Sequence, residues 1–565
     1  MANAPTNMTL RPCREDSVNF DTTENLYIEG DNLEVLKLLR EDYLGKVKMI
    51  YIDPPYNTGS DFVYEDDFAR TSSSYLGGSG QLDEMGNRLV QNTESNGRFH
   101  TDWLNMIYPR LKVAKDLLSK NGVIFISIDD HETINLHKVC NEIFGEVNYI
   151  GTFIWQSKKG GGSDNNKVVR DQEYVLCYGK DTSCSDFFNR ILLEAEPLVQ
   201  CDQKGPYRRG RELNKWGANS RREDRPTMFF PIPGPNGEDV YPIRNDGSEG
   251  CWRWGKENML QAAMAGDVEF VPRGDGTYIV YEKVRDTEPR LKPYRTLMDN
   301  VGATADGSKQ IKGIFDDKKV FDFPKPLNLI ESLLLMGATK DCLILDFFAG
   351  SSTTAHAILE ANAKDGGTRS YILVQLPELT DPASEAYKAG YKNICDIGKE
   401  RIRRAGKRIL EEQEKSKSNA GLFAQTESKP KVDVGFRVLK LDSSNMQDVY
   451  YRPEESSETT LFEDNIKPDR TPEDLLFQVM LECNLPLSAK IETKKIAGKD
   501  VFSVNNGYLI ACFDTDVDED VIKAVAKIKP YYFIMRDRSL SSDNVADNFD
   551  QIFQAYSKET IRRVL

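Results

Sequence analysis

A chain of 565 residues with 89 acidic and 74 basic side chains carries a formal net charge of −15, which excludes a protein that coats nucleic acid indiscriminately and leaves room for a local basic surface. No apolar stretch approaches the length of a bilayer span and the start lacks a signal-peptide pattern, so a cytoplasmic chain without membrane contact is expected. Ten cysteines never form CxxC and only four histidines occur, so reduced structural thiols are expected and no metal site.

The length implies more than one domain, each with a sizeable core. Asn25–Gly30 reads as a strand running into Gly30-Asp31-Asn32, and Leu33–Arg40 as a helix with Asp31 at its N-cap. Residues 47–53 read as a buried strand that meets Asp53-Pro54-Pro55-Tyr56. Two consecutive prolines cannot continue a ladder, so the chain leaves the sheet at Asp53. The corner presents a carboxylate, a proline carbonyl and an aromatic ring within four residues. Asp53 and the Pro54 carbonyl can accept both hydrogens of an exocyclic amine while Tyr56 stacks on the ring that carries it. On these residues alone, a Pro-Pro turn capped by an aspartate is an equal reading. Residues 60–98, polar and rich in Gly, Ser and Asn, read as a mobile lid or a disordered surface loop. A helix near 101–119 and a strand at 121–128 follow. Strands at 150–155 and 173–178 then flank Lys158-Lys159-Gly160-Gly161-Gly162, a flexible basic loop suited to a phosphate backbone.

From about 185 to 300 helical periodicity fades, and short β-like runs such as Thr227–Phe230 and Thr277–Tyr281 stand among Gly and Pro turns. Lys204, Arg208, Arg209, Arg211, Lys215, Arg221, Arg222 and Arg225 outnumber the acids there, with Tyr207 and Trp216 between them. A solvated face is the plain alternative; the excess of arginine favours phosphate and guanine-edge contacts, because the guanidinium fork is bidentate. Trp252 and Trp254 alternate as core residues of a strand do. The stretch reads as a target-recognition insert between two halves of one sheet. Phe323-Pro324-Lys325-Pro326 makes a turn into the helix Leu327–Met336. Next, the apolar run Leu343–Leu345 enters Asp346-Phe347-Phe348-Ala349-Gly350-Ser351-Ser352-Thr353, and a helix starts by Ala355. A strand, a small-residue turn and a helix start gather N–H groups at a positive dipole end, which suits a carboxylate or phosphate at the carboxyl edge of a sheet. It is neither a phosphate loop nor GxGxxG. Tyr371–Gln375 reads as the next strand, with Glu378 three residues on. Lys399, Arg401, Arg403, Arg404, Lys407 and Arg408 read as the solvated face of a helix, 411–433 as a linker, and 434–565 as a last unit of mixed strands and helices.

Asp53–Tyr56 resembles the DPPY motif of amino-methyltransferases that act on adenine N6, and Phe348–Thr353 resembles the FxG loop that binds the methionine end of S-adenosylmethionine. Phe347 stands where that family has a proline, and Ser352 where it has a glycine. DPPY before FxG resembles the permuted β group, and Phe323–Pro326 its FxxPKP element, which helps wall the cofactor site. With Phe99–Met106, Ile397–Ala405, Gly435–Val438, Lys440–Asn445 and Glu473–Phe477, the chain from about residue 20 onward is similar to modification subunits of type III restriction–modification systems.

That resemblance implies an α/β fold: a permuted, Rossmann-like S-adenosylmethionine-dependent methyltransferase with a seven-stranded mixed sheet. Its halves are 1–184 and 301–415, around a target-recognition insert at 185–300; a small α+β C-terminal domain at 434–565 serves assembly or partner contacts. It implies catalysis by Asp53, Pro54, Pro55 and Tyr56 on a flipped adenine in double-stranded DNA. The cofactor falls to Asp31, Asn32, Lys325, Asp346, Phe348, Gly350, Ser351 and Thr353, with Gln375 or Glu378 at its ribose. DNA contacts fall to Arg208, Arg209, Arg211, Lys215, Arg221, Arg222, Lys158 and Lys159. The implied partners are a second copy of the chain and a restriction subunit with helicase and nuclease activity. A cytosine-N4 methyltransferase, or a DNA-recognition subunit whose transferase site has decayed, are the alternatives; Ser352 and Gln375 keep the second open.

Overall fold

Met8–Val18 (β1), Leu26–Glu29 (β2), Asn32–Asp42 (α1), Val47–Ile52 (β3), Phe99–Leu117 (α2), Leu118–Ile128 (β4), Thr133–Phe144 (α3), Tyr149–Gln156 (β5) and Gln172–Gly179 (β6) form the first half of one sheet and its covering helices. Leu297–Met298 (β7), Leu327–Gly337 (α4), Leu343–Asp346 (β8), Thr353–Asp365 (α5), Ser370–Gln375 (β9), Ile394–Asn419 (α6) and Phe436–Ser443 (β10) form the second. β2 and β3 are buried at every position, as strands covered on both faces must be. The computed structural model describes residues 2–59, 62–64, 89–91, 97–160, 168–193, 197–285, 290–419, 432–447, 466–536, 539 and 543–565. Within the expected lid at 60–98, Phe62–Tyr64 and Leu89–Gln91 pair as two short antiparallel strands. Residues 60–61, 65–88 and 92–96 of it, the last two glycines of the basic loop and most of the 411–433 linker lie outside the described residues.

The sheet has ten strands in the order β1-β10-β2-β9-β8-β3-β4-β6-β5-β7. The expectation was seven. Seven contiguous strands run from β2 to β5, and β1 with β10 at one edge and β7 at the other extend them. All pairs from β10 to β4 are parallel, and β1 and β6 enter antiparallel. β3 leads through α2 to its neighbour β4 on one side, while β8 leads through α5 to β9 on the other, and β3 pairs with β8 directly. An open α/β sheet binds ligands outside the carboxyl ends of two strands that part in this way. The sequence segments after β3 and after β8, nearly 300 positions apart, are thus brought side by side.

The chain divides into two compact units, Met1–Asn189 with Arg295–Leu565, and Arg190–Tyr294. In the first, β10 belongs to the large sheet, although the sequence groups it with the C-terminal residues. Beyond it, Ile491–Ile496, Lys499–Val504, Leu509–Cys512, Tyr532–Met535 and Ile561–Val564 pair in that order as a second sheet. Arg437 of β10 ties the two regions together: it is fully buried, donates to the carbonyls of Phe20 and Leu487, and lies over the Phe20 and Phe477 rings. The second unit packs Leu213, Phe230, Ile232, Val240, Trp252, Met259, Val268 and Val280 into its own core. Thr227–Phe230 is not a strand. Pro226 fixes the first turn of a 3-10 helix over Pro226–Met228 instead.

Candidate active site

At the end of β3 the chain turns out of the sheet at Asp53, and the turn is held from behind. Trp103 of α2, fully buried, donates Nε1–H to the Pro55 carbonyl at 2.7 Å. Asn57 follows in the left-handed region at φ +62, a conformation asparagine tolerates better than most residues. Its amide donates to Glu132 Oε1 at 2.6 Å, where His100 Nδ1 also lies at 2.6 Å. Glu132 is fully buried, so this carboxylate serves as an anchor.

The second turn follows β8. Asp346 is buried beneath it and accepts from the Phe348 N–H and the Thr354 hydroxyl; burial pushes its carboxyl up to about 7. Gly350 adopts φ +50 and donates its N–H to Gln375 Oε1 at 2.7 Å, while Gln375 Nε2–H reaches the Leu376 carbonyl. Ser352 takes the left-handed region at φ +61, where a glycine would be unstrained. Arg401 of α6, with no exposure, donates to Ser351 Oγ at 2.9 Å and Thr353 Oγ1 at 2.7 Å; burial lowers its pKa to about 9.

Both turns open into one cavity of about 940 Å³. Asp53, Pro54, Pro55 and Tyr56 line it, as do Phe348, Gly350, Gln375, Glu378, Lys325 and Lys158. Asp31, Asn32, Asp346, Ser351 and Thr353 do not. They act one layer back. Asp31 Oδ1 caps α1, its Oδ2 pairs with Arg110 at 3.1 Å, and Asn32 bonds the Phe347 carbonyl and Arg110. Of the two candidates at the end of β9, Gln375 spends its amide on the turn. Glu378 faces the cavity as a carboxyl with no ion-pair partner among the described residues, and burial pushes it up to about 7. A diol or another donor-rich group suits it.

Lys325 lies deeper than the sequence suggests. Its Nζ is 2.9 Å from Asp53 Oδ1, 3.6 Å from Glu173 Oε2 and 4.8 Å from the centre of the Tyr56 ring. Burial lowers its pKa, but the two carboxylates more than offset that and leave it raised. The Tyr56 hydroxyl donates to Glu173 at 3.0 Å. Burial, then the charges of Asp53 and Glu173, hold that phenol well above its ordinary pKa. Glu173, Trp103, Glu132 and Arg401 were missed by the sequence reading. The basic run on α6 is not a solvated face throughout: Lys399 is buried against Glu29 at 2.5 Å and Asp16 at 2.8 Å, and Arg401 is buried beneath the turn.

On the Arg190–Tyr294 unit, Arg209 pairs with Glu269 at 2.6 Å and Arg222 with Glu249 at 2.7 Å, while the Lys215 ammonium donates to the Asn219 carbonyl. Arg208 is half-buried. Arg211, Arg221 and Arg225 are exposed with no ion-pair partner among the described residues. Lys158 and Lys159 are exposed on the first unit.

The sequence profile of a DNA methylase family matches residues 47–405. The chain is 36% identical over 407 residues to the type III restriction-modification enzyme EcoPI Mod subunit of Escherichia phage P1, covering 68% of this chain and 62% of that protein. It therefore spans less than two thirds of the length of that relative. It is 34% identical over 453 residues to the EcoP15I Mod subunit of Escherichia coli (72% of this chain, 67% of that one), and 35% identical over 395 residues to the type II methyltransferase M.KpnI of Klebsiella pneumoniae (66% and 86%). The profile begins at the first residue of β3 and ends in α6, so it takes in both turns and the cavity between them: the chain belongs to the DNA methylase family.

Proposed function

We propose that this chain transfers the methyl group of S-adenosylmethionine to the N6 amine of an adenine in a short asymmetric site of duplex DNA, as the modification and recognition subunit of a type III restriction–modification system. The observation that carries the reading is the opening of the Asp53–Tyr56 corner and the Phe348–Gly350 turn into one cavity. The resemblance to the EcoPI and EcoP15I Mod subunits supports the type III assignment, and with it a restriction subunit as partner; a second copy of this chain is part of the same proposal. The permuted order of the two motifs fits the same reading.

The residues present fit the methyl donor. Glu378 offers an unpaired carboxylate to a ribose diol, and Phe348 and Gly350 offer a ring and a tight turn at the start of α5 to the remainder. Bound there, S-adenosylmethionine supplies an electrophilic methyl: the N6–C bond forms as the C–S bond breaks, with its electron pair left on sulfur. The acceptor is a weak nucleophile, because its lone pair is delocalised into the purine. Asp53 Oδ and the Pro54 carbonyl accept its two hydrogens and draw the nitrogen toward a tetrahedral shape, and Tyr56 stacks on the ring. The base has to leave the duplex to reach these groups. Catalysis is chiefly positioning and exclusion of water. The amine, cationic after transfer, loses its proton past Asp53 to solvent. On the recognition unit, exposed Arg211, Arg221 and Arg225 contact DNA, while Arg209 and Arg222 shape the surface through their acidic partners.

The test is transfer of tritiated methyl from S-adenosylmethionine to unmethylated genomic DNA, with nucleosides resolved by mass spectrometry. Label in N6-methyladenine, absent from Asp53→Ala, is the expected result. Label in N4-methylcytosine would overturn the base assignment, and no label the activity itself.

A further inference from the structure

Lys325 occupies the place where the target amine has to go. Its ammonium sits within ion-pair distance of Asp53 and over the Tyr56 ring, the two groups assigned to grip the base. An ammonium and an aminated ring cannot hold that position together. A second acceptor lies beside it: Glu173 of β6 is 3.6 Å from the same Nζ, and Trp155 of β5 presents its ring at 5.7 Å. The lysine's backbone has no freedom to withdraw. Pro324 and Pro326 fix φ on either side, a Cβ on Gly307 would fall 2.1 Å from the Pro324 carbonyl oxygen, and Gln310 Oε1 accepts from the Leu327 N–H at 2.8 Å. Only the flexible side chain can move, and a short swing takes it from one carboxylate to the other.

We propose that Lys325 is a tethered stand-in for the target amine: it guards Asp53 before the base enters and passes to Glu173 as the base arrives. This rests on the functional reading above. One ammonium between two carboxylates leaves one unit of negative charge, and the incoming amine hydrogens satisfy whichever oxygen the lysine vacates. A base without an amine has nothing with which to displace the lysine, so the device favours amino-bearing rings at the level of the pocket. Glu173 acts through Lys325 and Tyr56, and is a positioning residue.

The experiment pairs calorimetric binding of S-adenosylmethionine with single-turnover methyl transfer to unmethylated genomic DNA, using the full chain and Glu173→Gln, Glu173→Asp, Lys325→Met and the double variant Glu173→Gln/Lys325→Met. Binding of the donor stays within about 2-fold of wild type throughout, while Glu173→Gln slows transfer by ~10-fold or more, because the lysine has lost its second partner. Glu173→Asp regains part of the rate. The double variant is faster than Glu173→Gln, since removing the stranded lysine frees Asp53; a merely structural glutamate would not give that rescue. A double variant no faster than Glu173→Gln overturns the proposal, and so does Lys325→Met weakening donor binding ~10-fold, which would place the lysine on the donor. A wild type that labels no DNA base overturns the functional reading, and the proposal falls with it; an active wild type without rescue overturns the proposal alone.

Discussion

Trp103→Phe separates the Asp53–Tyr56 corner from its support while keeping an aromatic ring in the core. Trp103 has no exposure, and its only polar atom donates to the Pro55 carbonyl at 2.7 Å. Leaving the half-buried Pro55 carbonyl without this partner costs about 1–3 kcal/mol, toward the lower end because the carbonyl borders the open cavity. Replacing the bicyclic indole by a single ring adds about 1–2 kcal/mol for the space left behind at its far side, part of the 3–5 kcal/mol of a full truncation. The total is about 2–5 kcal/mol, visible as a lower Tm. The effect on rate has a different origin: the Pro55 carbonyl carbon is bonded directly to the Tyr56 nitrogen, next to the ring assigned to hold the base, and a shift of about 1 Å there costs on the order of 10²-fold. Leu111→Ala is the control. It is buried on the same helix, costs a similar 2–5 kcal/mol by roughly the same cavity argument, and lies about 12 Å further along the axis. Single-turnover transfer and thermal unfolding on both variants decide the matter. Trp103→Phe should be slow and Leu111→Ala close to wild type at equal loss of stability. Equal rates would refute the claim that the indole bond positions the corner.

Glu378, pushed up to about 7 by burial, is protonated on the acid side of that value and then offers the ribose diol proposed for it fewer acceptors. Affinity for S-adenosylmethionine should therefore rise from about pH 6 to about pH 8 in wild type and stay flat in Glu378→Gln, as read by calorimetry. Asp42 is fully buried at the end of α1 with neither oxygen hydrogen-bonded among the described residues, and burial, opposed by Lys46, raises its pKa to about 8. The folded chain keeps a proton that the unfolded chain gives up near 3.8, so stability falls as pH rises through that interval. Asp42→Asn should raise Tm far more at about pH 8.5 than at about pH 5, and equal shifts would refute the assignment. Ser352→Gly relieves a left-handed residue at roughly 1–2 kcal/mol and gives back about 0.5–1 kcal/mol in chain entropy, so Tm should rise slightly; a fall would mean that the hydroxyl has a structural task.

The parallel core of the sheet was legible because its strands are short apolar runs closed by hard punctuation: Pro54-Pro55 after β3, Gly30 after β2, the small-residue turn after β8. Gly30 marks its position for a physical reason, since a Cβ there would lie 2.4 Å from the Leu441 side chain of β10. β1 was not legible. Pro12 and the charges of Arg11, Arg14, Glu15 and Asp16 break its alternation, and an edge strand uses such residues to refuse further pairing. β10 falls in the stretch read as a last unit of mixed strands and helices and not as part of this sheet, because sequence spacing says nothing of which edge a returning strand joins.

The residues that hold the two turns were missed for a reason that can be corrected. Arg401 was read by its charge as one of a basic run, yet it stands in line with Ile397, Ala405 and Ile409 at four-residue spacing, and all three are buried. Arg110 stands likewise between Met106 and Ala114 on α2, and it too is fully buried. A charged residue inside the apolar stripe of a helix cannot face solvent without turning the stripe outward, so it must meet polar partners within the core. In this fold, the polar partners available inside are the backbone turns and caps at the carboxyl ends of the strands. Arg110 reaches Asp31 and Asn32, and Arg401 reaches Ser351 and Thr353, which are the residues flanking the cavity from behind. An arginine in register with an apolar stripe therefore points, from sequence alone, to the helix that braces a site. Glu173 carries no such mark. It is an acid at the start of an apolar strand, and only the arrival of Lys325 from the other half of the chain gives it a role.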